Sequence, residues 1–134
     1  MQLKQKVCRT LHTEISLDED GILWLRPDAN SDLGLDEVTA CFDTYREMGI
    51  GPNNKVLQVI DAQKDVTMDR EGREYAAQHG NDFFIASAII STNLSIRLIV
   101  NFFNLFYKTK TVPFKLFGNE ESAKRWLLKF REEL

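Results

Sequence analysis

Residues that make redox and metal chemistry are scarce in this chain: its 134 residues include two cysteines and two histidines. Cys8 and Cys41 stand on unrelated segments with no CxxC spacing and no histidine pair nearby. That excludes a recognisable zinc ribbon or disulfide framework and fits free thiols. Proline is also scarce, with three residues, and the seven glycines never cluster between a strand and a helix as a phosphate-cradling loop requires. The N-terminal stretch MQLKQKVCRTLHTEISL has neither the unbroken apolar region nor the small-residue cleavage site of a signal peptide, so the expected compartment is the cytoplasm.

Charge of one sign is missing too. The net charge is -3, which gives no field for a polyphosphate, and no nucleic-acid partner is expected. The distribution is uneven, with 16 acidic and 9 basic side chains up to residue 91 and 8 basic and 4 acidic after it. The basic residues Lys108, Lys110, Lys115, Lys124, Arg125, Lys129 and Arg131 read as a solvated loop and helix face. What is abundant is ordinary: 43% hydrophobic and 28% charged residues are those of a globular domain, and 134 residues suit one domain, residues 1–134.

Hydrophobic periodicity then orders the chain. Leu11 to Leu17 alternates, Asp18-Glu19-Asp20-Gly21 supplies a turn, and Ile22 to Leu25 follows, which predicts an N-terminal β-hairpin. Pro27 to Gly34 reads as a polar loop. Leu35, Val38, Phe42, Tyr45 and Met48 share a helical stripe ended by Gly49. Lys55 to Asp61 predicts a central strand, and Thr67 or Asp69 caps a second helix running to about His79. Phe83 to Ile90 is almost wholly apolar and belongs in mid-sheet. A helix over Leu94 to Tyr107, a strand over Pro113 to Phe117, and a last helix capped by Asn119 with Ala123, Trp126, Leu127 and Phe130 inward complete the order. The expectation is an α/β fold: a mixed, mostly parallel sheet of about five strands with about four helices and the hairpin at one edge.

The stretches VLQVIDAQKDVTMDREGREYA, FFIASAII, SIRLIVNFFNLFYKTKTVPFKLF and EESAKRWL, in that order, resemble the bacterial SpoIIAA-like (STAS-type) family over nearly the whole chain. The resemblance implies a non-enzymatic interaction or regulatory module, because known members include antagonists of anti-sigma factors that act by protein contact. In those antagonists a phosphorylatable serine opens the helix after the third strand, within a pattern like Met-Asp-Ser-Ser-Gly. This chain reads Met68-Asp69-Arg70-Glu71-Gly72, with Glu71 in the acceptor's place, so the phosphorylation switch is not carried over. Glu71 reads either as a first-turn acid favoured by the helix dipole or as a permanent partial mimic of the phosphorylated state. Asp61, Asp69, Arg70, Glu71 and Gly72 thus form the candidate partner-binding loop.

Asp61, Asp65 and Asp69 cluster where open α/β sheets place ligands, but they lack EF-hand spacing and Asp is an ordinary cap and turn former. No metal, cofactor or catalytic residue is assigned, and His12 and His79 read as solvated or capping histidines. The helix over Leu94 to Tyr107 reaches about 21 Å, short of the ~30 Å needed to cross a bilayer, so no transmembrane segment is expected. Its surplus apolar side chains Ile99, Phe102, Phe103, Phe106 and Tyr107 need cover from a second copy, from neighbouring helices, or from an apolar, lipid-like ligand. A homodimer ranks first, since aromatics are favoured at interfaces and two-fold dimers are the commonest oligomers. A small carrier or sensor of an apolar ligand is the alternative function.

Overall fold

The computed structural model describes residues 7–93, 96–98, 100–101 and 112–132. Strands β1 (Val7–Arg9), β2 (Thr13–Leu17), β3 (Ile22–Pro27), β5 (Val56–Asp61), β7 (Phe84–Ile90) and β8 (Phe114–Phe117) build a six-stranded sheet in the order β1-β2-β3-β5-β7-β8. The first two pairings are antiparallel, and β3-β5, β5-β7 and β7-β8 are parallel. Beside helices α1 (Leu35–Glu47), α2 (Arg70–His79) and α3 (Glu120–Glu132), residues 96–98 and 100–101 are helical and fall within the stretch expected as the third of four helices.

Local chemistry accounts for the element boundaries. Asp18 organises the β2-β3 turn: its Oδ1 accepts from the backbone N–H groups of Asp20 and Ile22, both at 2.9 Å, and its Oδ2 accepts from Trp24 Nε1 at 2.8 Å. Gly21 sits at φ +78° in that turn, a conformation glycine adopts without a Cβ penalty. Gly49, at φ +89°, ends α1, with its N–H donating to the carbonyl of Arg46. Asn119 Oδ1 accepts from Ser122 N at 2.8 Å and so caps α3.

The sheet is covered on both faces, and the period of two along each strand sorts the side chains. Ile22, Trp24, Leu57, Val59, Ala86, Ala88 and Ile90 face α3, whose Ala123 and Leu127 are fully buried against them. The small side chains of Ala86 and Ala88 let the helix approach, and a fully buried leucine such as Leu127 contributes roughly 1.5–3 kcal/mol. Ile15, Leu17, Leu23, Leu25 and Ile89 face the other way, beneath Val38, Phe42 and Tyr45 of α1 and beside Ile96 and Val100.

Three details depart from the sequence reading. β1 adds a strand outside the hairpin, too short and too exposed at Val7 to leave a pattern. The loop Pro27 to Gly34 contains β4 (Asp32–Leu33), which pairs in parallel with β6 (Thr67–Met68). Two-residue strands carry no readable periodicity. Phe83 lies just before its strand, its N–H donating to the carbonyl of Gly80 in the 3-10 turn Gly80–Asp82.

Candidate functional site

The sheet face beneath α1 is mostly apolar, yet it carries a row of buried polar side chains. Glu37, Cys41 and Tyr45 recur every fourth residue along α1 and so share its inward stripe. Opposite them, Gln58 of β5 and Ser87 of β7 are register partners, and the Ser87 hydroxyl donates to Gln58 Oε1 at 2.7 Å. Burial pushes the Tyr45 phenol well above its usual range, Cys41 and Glu37 push it further, and a hydrogen bond with the Gln58 side chain opposes the shift. Burial, then the Glu37 carboxylate, pushes the Cys41 thiol up to about 12 against hydrogen bonding with Thr10 and Thr13. Both groups keep their protons at neutral pH, so neither is poised as a nucleophile.

Glu37 is the most unusual member of the row, because it is only 4% exposed. The corner between β1 and β2 wraps one of its oxygens: Oε2 accepts from Thr10 Oγ1 at 2.7 Å, from His12 N at 3.0 Å and from Thr13 Oγ1 at 2.7 Å. Its other oxygen, Oε1, is buried and has no hydrogen-bond partner among the described residues. Buried polar atoms in native structures are nearly always paired, so an orphan calls for an explanation.

Thr13, Glu37, Cys41, Tyr45, Gln58 and Ser87 all border one cavity of about 130 Å³ between the sheet, α1, α2 and Ile96. Thr67 and Asn81 add to its polar lining, and Leu25, Val38, Phe42, Val66, Ile89 and Ile96 are among its apolar side chains. Native interiors pack to crystal-like density, and a dry apolar cavity of about 150 Å³ is known to take up benzene. The arrangement can therefore hold a small, largely apolar molecule with one polar end.

The residues singled out in the sequence fall elsewhere. Asp61 ends β5, its Oδ1 accepting from Gln63 Nε2 at 2.8 Å and its Oδ2 lying 4.0 Å from Arg26 Nε. Asp69 caps α2, accepting from Gly72 N at 2.8 Å. Gly72 is buried, and a Cβ there would sit 2.9 Å from the Leu33 carbonyl oxygen. These two hold the loop in place, while Arg70, 81% exposed along its side chain and paired with Glu74 at 2.9 Å, and the exposed Glu71 face solvent. Hydrogen bonds from Asn30 N to Lys64 O, Thr67 N to Ser31 O and Asp69 N to Leu33 O fasten the loop to residues 30–33. Asp61, Asp65 and Asp69 each have separate partners, and no metal-holding group of three or more His, Cys, Asp or Glu side chains exists among the described residues. Ile99, Phe102, Phe103, Phe106 and Tyr107 lie outside the described residues.

The cavity residues escaped the sequence reading, although signals for them were there. Gln58 is the one polar side chain inside VLQVI, and Ser87 the one inside FFIASAII. Glu37 falls on the same stripe as Cys41 and Tyr45, where a charge is out of place.

Among the described residues no helix is long and apolar enough to cross a membrane. No curated protein matches the chain. A crystal structure of an uncharacterised protein of the DUF3478 family with a SpoIIAA-like fold, from Shewanella loihica PV-4, is similar at a TM-score of 0.63 and 17% identity, covering 91% of this chain and 99% of that one. The resemblance to SpoIIAA-like proteins thus holds at the level of the fold. A family model spans residues 15–131, and the chain belongs to the family described as Domain of unknown function (DUF7793).

Proposed function

We propose that this domain is a non-enzymatic, ligand-responsive interaction module. It takes a small apolar molecule into the cavity under α1 and presents the turn Asp69 to Glu71 to a protein partner. The observation that carries this reading is the continuity of the two places. Val66, Thr67 and Met68 line the cavity and lead directly into Asp69, Arg70 and Glu71. An occupant therefore touches the strand that positions the exposed turn. The sequence resemblance supports the interaction half, since Met68-Asp69-Arg70-Glu71-Gly72 stands where the pattern of the antagonists carries its phosphoacceptor.

Ligand-detected NMR of the purified protein with toluene, and with a variant in which Ala76→Leu fills the cavity from α2, tests the first half. Saturable binding by the parent protein and its loss in a folded Ala76→Leu protein are the expected results. Absence of binding by the parent protein overturns the reading.

Homodimerisation is the second reading, favoured by Leu98, which is 65% exposed next to the buried Ile96 and Val100. Sedimentation velocity checks it: a concentration-dependent dimer weakened by Leu98→Asp is expected, and a monomer throughout the concentration range removes it.

A further inference from the structure

We propose that the ribbon of β4 and β6 is the gate of the cavity: the segment 63–68 swings away from β4 to admit a small apolar molecule, and the bond between Thr67 and Asp32 latches it shut. This inference rests on the cavity taking a ligand and adds the way in.

Exposure places the entrance. Of the described residues that line the cavity, Thr67 alone is exposed, and every other one is buried or half-buried. Leu33 and Val66, beside it in the wall, are 6% and 3% exposed. At Thr67 a single residue therefore borders both the cavity and solvent.

The ribbon is also lightly held. β4 and β6 pair only at Asp32 with Thr67 and Leu33 with Met68, whereas β5 and β7 pair from Val56 with Phe84 to Asp61 with Ile90. A ladder so short has no stability of its own, and such elements open at little cost in free energy. Its backbone fasteners include Asn30 N to Lys64 O and Thr67 N to Ser31 O, both at 3.0 Å, and Asp69 N to Leu33 O at 3.2 Å. The Thr67 hydroxyl adds a bond to Asp32 Oδ1 at 2.8 Å, in an exposed position. Asn30 at φ +61° and Asp65 at φ +47° hold the left-handed conformation that costs non-glycine residues, and each stands just before a strand of the ribbon. Opening lets both relax. The ends of the moving segment stay fixed, because Ala62 N donates to Ile90 O at 2.9 Å and Asp69 Oδ1 accepts from Gly72 N at 2.8 Å.

The test locks the ribbon. Asp32 and Thr67 are register partners whose side chains meet, and neighbouring strands lie about 4.8 Å apart, within the reach of a disulfide. Asp32→Cys with Thr67→Cys is made in a Cys8→Ser background, and the same protein is compared reduced and oxidised with glutathione disulfide. Relaxation-dispersion NMR during titration with toluene gives the association and dissociation rates. Oxidation is expected to slow both by at least about tenfold and to leave the dissociation constant within about twofold, because a shut gate slows passage in both directions without changing the occupied state. Equal rates in the two forms overturn the gate and leave the cavity reading standing. Slower association with unchanged dissociation means a distorted site rather than a shut gate, and it overturns the inference in the same way. Failure of toluene to bind the parent protein overturns both. Should the double variant not fold, Thr67→Val decides: it removes the latch at an exposed position and is expected to raise both rates by at least about threefold, whereas unchanged rates overturn the inference.

Discussion

The hydroxyl of Ser87 and Oε1 of Gln58 meet at 2.7 Å between two residues that stand directly opposite each other on parallel strands β5 and β7. Both are buried in a mostly apolar layer, so each supplies the other with a hydrogen-bond partner. Ser87→Ala leaves the Gln58 oxygen short of its donor and is expected to cost about 1–3 kcal/mol in urea unfolding. Ser87→Ala combined with Gln58→Leu costs at least about 0.5 kcal/mol less than the two singles added. Strict additivity would mean that the pair does not interact.

The loop from Asp61 to Gly72 divides into residues that build it and residues that it displays. Gly72→Ala forces a Cβ to 2.9 Å from the Leu33 carbonyl oxygen and 3.1 Å from Val38 Cγ2, and overpacking of this kind costs about 1–3 kcal/mol. Asp69→Ala removes the α2 cap and costs about 1 kcal/mol. Glu71→Ala stays within about 0.5 kcal/mol of the parent protein. Thermal unfolding of the three variants checks the order, and a large loss for Glu71→Ala would give that side chain a structural role.

Cys41 makes the stability depend on alkaline pH with a defined sign. Its folded pKa of about 12 lies above the ordinary 9.0, so the folded protein holds the proton after the unfolded chain has released it. The contribution is complete below about pH 9 and is lost between about 9 and about 12, at about 1.4 kcal/mol per pH unit for one thiol. Urea unfolding at pH 8 and pH 10 measures the slope; Tyr45 acts in the same direction at higher pH, and Cys41→Ala isolates the thiol by flattening the curve. At pH 8 iodoacetamide reaches the half-buried Cys8 first, and Cys41 only after unfolding. Equal labelling of both in the folded protein would contradict its burial.

The hairpin turn is tied to α3 by Lys124, whose Nζ lies 2.8 Å from Asp20 Oδ2 and 3.9 Å from Asp18 Oδ2. A hydrogen bond and the charge of Lys124 hold the Asp20 carboxyl below its ordinary 3.8, and the bond to Asp20 raises Lys124. The depressed acid contributes stability above pH 3.8 that is lost as the pH falls through its lower folded value, and the raised amine contributes below its ordinary 10.5, lost as the pH rises through its folded value. Carboxyl-detected NMR titration of Asp20 should therefore give a midpoint below 3.8 that moves back up in Lys124→Gln. An identical midpoint in both proteins would show that the pair does not form in solution.

Much of the architecture was legible because apolar periodicity is a local property. α1 spans Leu35 to Glu47 against an expected Leu35 to Met48, α2 starts after the Asp69 cap, and α3 starts after Asn119. Each boundary is written in a cap, a glycine or a turn that the neighbouring residues satisfy themselves. The almost wholly apolar Phe83 to Ile90 announced a strand covered on both faces, and α3 supplies the second cover.

The cavity was not legible in the same way, because its polar wall comes from four elements far apart in the chain. Glu37 beside Asp36 reads as an ordinary acid in the first turn of a helix, and nothing local says that Thr10, His12 and Thr13 will close on one of its oxygens. The sequence by itself determined the order of strands and helices and which face of each is apolar, since both follow from periods of 2 and 3.6 residues. Only the tertiary structure decided that Gln58 and Ser87 face α1 in register, that one buried oxygen of Glu37 has no partner among the described residues, and that these side chains border a cavity of about 130 Å³. Such features depend on side chains from distant segments failing to fill a shared space, and no local pattern records a gap.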